Sequence, residues 1–170
     1  MQKHLEELLA IVNKSEEPSF ENTILAFDSS GKLFHSINNM FDNLCSSNSP
    51  PELQAVELKM AIPLASHYNK ITSLPGLFNR IQIIHDTRFD NEYNPEQIRL
   101  IERFYLDFVR SGALFSKEDQ ETYAKITEDL ANLCTIFTQN LLADESVIFL
   151  ELQLSDLVCV RKHFVAITYL

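Results

Sequence analysis

Five histidines, three cysteines and 24 acidic side chains are the groups with which this chain could do chemistry. A hydrolytic zinc carried on one helix needs two imidazoles at i and i+4 with a glutamate beside the first, the H-E-x-x-H spacing. His4, His35, His67, His85 and His163 lie at least 18 residues apart, so a metal site would have to be assembled from several helices. Histidine on an amphipathic helix is usually structural or solvent-facing, and that is the expectation for all five. His67-Tyr68 and His85-Asp86 are adjacent pairs of little specificity. The acidic run with Asp86, Asp90 and Glu92 lacks the glycine and closing glutamate of an EF-hand, so it reads as a solvated loop.

Nucleophilic catalysis would require a thiolate in a positive setting. Cys134 stands beside Leu133 in an apolar stripe and reads as core. Cys159 lies near Arg161 and His163, a pattern of low specificity. Cys45, Cys134 and Cys159 are an odd number with no C-x-x-C pair, which predicts free thiols in a reducing compartment. Phosphate loops rich in glycine, a G-x-S-x-G elbow and paired catalytic carboxylates do not occur in the sequence.

Side chains without a motif must be placed by the elements that carry them. With 170 residues and 45% apolar content the chain is long enough for one real core, burying roughly 70% of its unfolded surface without a staple or cofactor. A net charge of -10 disfavours nucleic-acid partners. Three glycines, no tryptophan and 12 phenylalanines point to long helices. Glu6 and Glu7 break any signal-peptide apolar region, and no run of 18 apolar residues occurs, so a cytoplasmic, unanchored protein is expected.

Leu5, Leu8, Leu9 and Val12 form one helical face. After Ser19 as N-cap, Phe20, Ile24, Phe27, Phe34, Ile37, Phe41 and Leu44 predict one long second helix with Gly31 as its weak point. Ser49-Pro50-Pro51-Glu52 suggests a capping box opening a third helix, with Leu53, Val56, Met60 and Leu64 as its stripe and a kink at Pro63. Leu77, Phe78, Ile81 and Ile84 make a short fourth. Asn94-Pro95-Glu96-Gln97 opens a fifth that turns Ile98, Ile101, Tyr105 and Phe108 inward and stops at Ser111-Gly112. Ser116 with Asp119 opens a sixth, whose Tyr123, Ile126, Leu130, Leu133, Phe137 and Leu141 have the spacing of packed antiparallel helices.

The expected fold class is therefore all-α, an antiparallel array of about six helices. At Val147 to Leu154 the period changes to two, which predicts a single β-strand needing a partner. The tail Val158 to Leu170 is apolar and β-branched. The organisation expected is a helical region over 1–145, a strand segment over 146–157 and a divergent tail over 158–170, with self-association possible through strand and tail.

Four ordered blocks carry a family resemblance. They are Phe20-Glu21-Asn22-Thr23-Ile24; Asn48 to Ala55 with Ala65-Ser66-His67; Glu102 to Ala113; and Phe137 to Ala143. Together they resemble the N-terminal helical region of the thimet-oligopeptidase family of zinc metallopeptidases, notably its bacterial oligopeptidase and peptidyl-dipeptidase branches. The likeness runs from about Leu5 to about Leu157 and implies part of a two-lobed helical enzyme that cleaves short peptides. It also implies that the zinc helix lies in the family's C-terminal half, so no residue of this chain is assigned a catalytic, cofactor-binding or metal-binding role. The expected function is a non-catalytic helical part of such a peptidase, inactive alone. The alternative is a stand-alone helical interaction protein derived from the same lobe.

Overall fold

The computed structural model describes residues 1–47 and 49–147. These residues are helical, with no strand among them: α1 (Gln2–Val12), a π-helical segment π1 (Phe20–Leu25) continuing into α2 (Ala26–Asp28), α3 (Lys32–Ser47), α4 (Pro51–Thr72), α5 (Leu77–Asp86), α6 (Pro95–Arg110) and α7 (Lys117–Val147). The chain divides into two units, Met1–Ile136 and Phe137–Leu170. Of the expected strand, Val147 ends α7, and the rest lies outside the described residues together with the tail.

The core of the first unit is built by four elements. Leu8 and Ile11 of α1, Phe20 and Ile24 of π1, Leu77, Ile81 and Ile84 of α5, and Ile101 and Phe108 of α6 are buried together, with Ile71 from the end of α4. The i, i+3, i+4 spacing within each helix directs one stripe inward, and α5 packs on α6 across it. Phe27, Phe104 and Phe108 add edge-to-face rings at centroid separations of 5.0 and 5.6 Å from Phe27.

Helix ends follow local chemistry. Ser19 accepts from the Asn22 N–H while the Asn22 side chain accepts from the Ser19 N–H, and Asn94 and Gln97 make the same reciprocal pair. Ser116 likewise accepts from the Asp119 N–H. The α6 terminus is a Schellman closure: Gly112, at φ +85°, donates to the Val109 carbonyl, and Ala113 to that of Phe108.

Three expectations are corrected. The long second helix is broken at Ser29–Gly31, because Gly31 adopts φ +65° and starts α3 in a new direction. The third helix is capped by Pro50 and not by Ser49, whose hydroxyl finds no hydrogen-bond partner among the described residues. The cause is Pro51: a residue before proline is forced out of the helical region, so Pro50 sits at ψ 160° and cannot be the first helical residue. Finally, the α7 stripe is not packed. Ile126, Leu130, Leu133 and Phe137 are 55–69% exposed, and Cys134, expected in the core, is exposed too. Pro63 lies within α4, which continues through it.

Candidate functional site

The widely spaced histidines are brought together. His4 on α1 and His67 on α4 are 4% and 2% exposed, and His4 Nδ1 lies 3.2 Å from His67 Nε2. His4 Nε2 is 3.2 Å from Ser30 Oγ, and Ser30 donates its hydroxyl proton to the Phe27 carbonyl at 2.7 Å. That last bond fixes the tautomers. With its only proton committed, Ser30 must accept from His4 Nε2–H; neutral His4 then has a lone pair on Nδ1, which accepts from His67 Nε2–H. What remains is a lone pair on His67 Nδ1, buried and without a partner among the described residues.

Burial is the main reason the imidazoles resist protonation. It lowers the His4 pKa, helped by the neighbouring His35, and holds His67 at about 4, with His4 adding to the effect. Phe34 lies against the His67 ring at a centroid distance of 4.6 Å, and His35, itself exposed, stands edge-on to His4 at 5.3 Å. Gly31 permits this approach: a Cβ there would come within 2.7 Å of the His4 ring. The Gly31 N–H donates to Glu7 at 2.7 Å, tying the turn to α1 a second time.

Two hollows flank His4. One, of about 330 Å³, is lined mainly by apolar side chains of α3 and α4, including Phe34, Ile37, Phe41, Val56 and Met60. The other, of about 300 Å³, combines Phe27, Tyr68 and Phe104 with Asp28, His35 and Asp107. Asp107 is already engaged by Arg103 at 3.0 Å. Burial raises the Tyr68 pKa, with Asp42 contributing, so its phenol stays protonated.

A second buried polar centre holds the loop before π1. Arg80 of α5, 7% exposed, donates to Thr23 Oγ1, to Asn22 Oδ1, and to the carbonyls of Lys14 and Glu16 at 2.9–3.2 Å. All four acceptors are neutral, so the guanidinium is satisfied as a hydrogen-bond hub and not as an ion pair.

Chemically, the histidine relay is a structural bridge. Ser30 is not poised as a nucleophile, because its hydroxyl donates to a carbonyl and no base takes its proton. A hydrolytic zinc takes three protein ligands, and no group of three His, Cys, Asp or Glu side chains stands close enough to hold one among the described residues. His85 bonds Asp86 at 3.1 Å and stacks on Tyr105 at 3.8 Å, on the surface side of α5. Asp90 and Glu92 are exposed. Burial, then Glu57 and Asp42, push the Cys45 thiol up, away from thiolate. Cys159 and His163 lie outside the described residues.

The His4–His67 pairing escapes a motif search, since 63 residues separate the partners. A signal did exist: His4 shares a helical face with Leu8 and Ile11, and His67 shares one with Ile71.

No protein-family model matches the chain. It is 31% identical over 137 residues to the dipeptidyl carboxypeptidase of Salmonella typhimurium, covering 81% of this chain and 20% of that protein. It is also 31% identical over 143 residues to the dipeptidyl carboxypeptidase of Escherichia coli K12, covering 84% of this chain and 21% of that protein. The chain is thus related to a segment of dipeptidyl carboxypeptidases and spans about a fifth of the length of these curated relatives. No helix among the described residues is long and apolar enough to cross a membrane.

Proposed function

We propose that this chain is a non-catalytic helical part of a zinc peptidase of the dipeptidyl carboxypeptidase type, within the wider thimet-oligopeptidase group, acting on short peptides in the cytoplasm only as part of a larger enzyme. The observation that carries this is the mismatch of coverage: most of the chain aligns, yet it accounts for only about a fifth of either relative. The buried polar groups of the described residues support the same reading, since Arg80 and the His4–His67 pair are committed to holding helices together. By itself the chain is expected neither to retain stoichiometric zinc nor to cleave peptides. Metal analysis after purification and a quenched-peptide assay test this; zinc at one equivalent with chelator-sensitive turnover would overturn it.

One observation favours the alternative of a helical interaction protein. Leu33, Ile37, Met40 and Leu44 of α3 follow one another at helical spacing and are 51–67% exposed. Such a stripe is the kind of surface that another polypeptide covers.

A further inference from the structure

We infer that the hollow of about 300 Å³ beside His4 is a binding site for a small organic cation, a primary ammonium carried on an aromatic or alkyl body. All of its lining belongs to the first unit. Phe27, Tyr68 and Phe104 supply rings from three helices, while Asp28 and Asp107 supply carboxylates. Rings and carboxylates draw the same ligand, because the quadrupole of an aromatic face and an anion both attract positive charge. Asp28 makes no hydrogen bond or ion pair among the described residues. Arg103 Nε engages Asp107 through Oδ2 alone.

Three further features select a cation over an anion or a purely apolar molecule. Thr72 ends α4 and Ser111 caps α6, and both line the hollow, which therefore takes the partially negative C-terminal ends of two long helices. Lys70 and Arg110, the basic residues of those last turns, are exposed and stand outside the lining, which holds no lysine or arginine. The third feature is hydroxyl direction. Ser30 donates its proton to the Phe27 carbonyl at 2.7 Å and Thr72 to the Asn69 carbonyl at 3.1 Å, so what these side chains offer a ligand is lone pairs. An ammonium group, which only donates, suits such a lining. The volume lies at the low end for ligand pockets, which fits a single-ring amine. This inference is independent of the peptidase reading.

The test titrates the full chain with phenethylammonium chloride near neutral pH by calorimetry, with phenethyl alcohol as the uncharged control and phenylacetate as the anionic one. The amine should bind at one site with a dissociation constant of about 1 mM or below, the alcohol about tenfold more weakly or worse, and phenylacetate not at all. Asp28→Asn, at an exposed side chain, should weaken the amine about tenfold while leaving the helical circular dichroism unchanged. Tyr68→Leu should weaken it by about fivefold. Asp90→Asn removes the same charge from an exposed position outside the lining and should leave the affinity as it was. No binding of the amine at about 10 mM, equal affinity for amine and alcohol, or undiminished affinity in Asp28→Asn would each overturn the inference. Equal weakening by Asp90→Asn would trace the effect to the net charge of the chain and overturn it as well.

Discussion

The buried histidines couple stability to pH, and the sign follows from which state holds more protons. In the unfolded chain an imidazole titrates near its ordinary value of about 6.5, whereas folded His67 stays neutral down to about 4 because burial opposes its charge. Between those values the unfolded state binds the extra proton, so the contribution is intact above about pH 6.5 and is lost as pH falls towards 4. His4, shifted the same way, adds to the effect. Chemical denaturation should show a loss on the order of 3 kcal/mol across that window from His67. An unchanged urea midpoint between about pH 7 and pH 4.5 would remove the relay from the account of stability. None of this was legible in the spacing of the histidines, because a hydrogen bond between residues 4 and 67 depends on how α1 and α4 pack. The burial of each residue was within reach of the sequence, since both lie in register with core positions.

At the level of elements, capping chemistry separates what could be read from what could not. Asn94 and Gln97 form the reciprocal pair that their spacing announces, and Asn94→Ala should cost about 1 kcal/mol. Ser49→Ala should cost less than about 0.5 kcal/mol, since its hydroxyl makes no cap. Urea titrations of both variants check the contrast, and equal losses would mean that Ser49 caps α4 after all. The Ser49 cap fails because Pro51 bars Pro50 from the helical region, which moves the cap one residue along the chain. Gly31, the weak point of the expected second helix, has left-handed geometry and so forms a joint between two helices. The inward faces of α1, α5 and α6 were legible because each carries a single apolar stripe at helical spacing, and the core covers it. The stripe of α7 has the same periodicity and is left exposed, because periodicity reports which face is apolar, not what covers it.

For the molecule as a whole, the helical character of the described residues followed from composition and period, and the segments resembling peptidases agreed with the relatives' names. The distribution of burial was not legible, since the first unit's core draws mainly on α1, π1, α5 and α6 while α3 and much of α7 keep apolar faces in water. The two buried polar centres will not fail together under acid. Arg80 holds the 14–23 segment through neutral oxygens only, so lowering the pH removes none of its acceptors. The histidine bridge between α1 and α4 is disarmed by protons. Acid should therefore melt this protein from one side, releasing α3 and α4 as a cooperative unit while π1 stays clasped to α5. Hydrogen exchange near pH 4.5 would then show amides of α4 losing protection well before those of α5, and simultaneous loss would mean that the clasp and the bridge belong to a single folding unit.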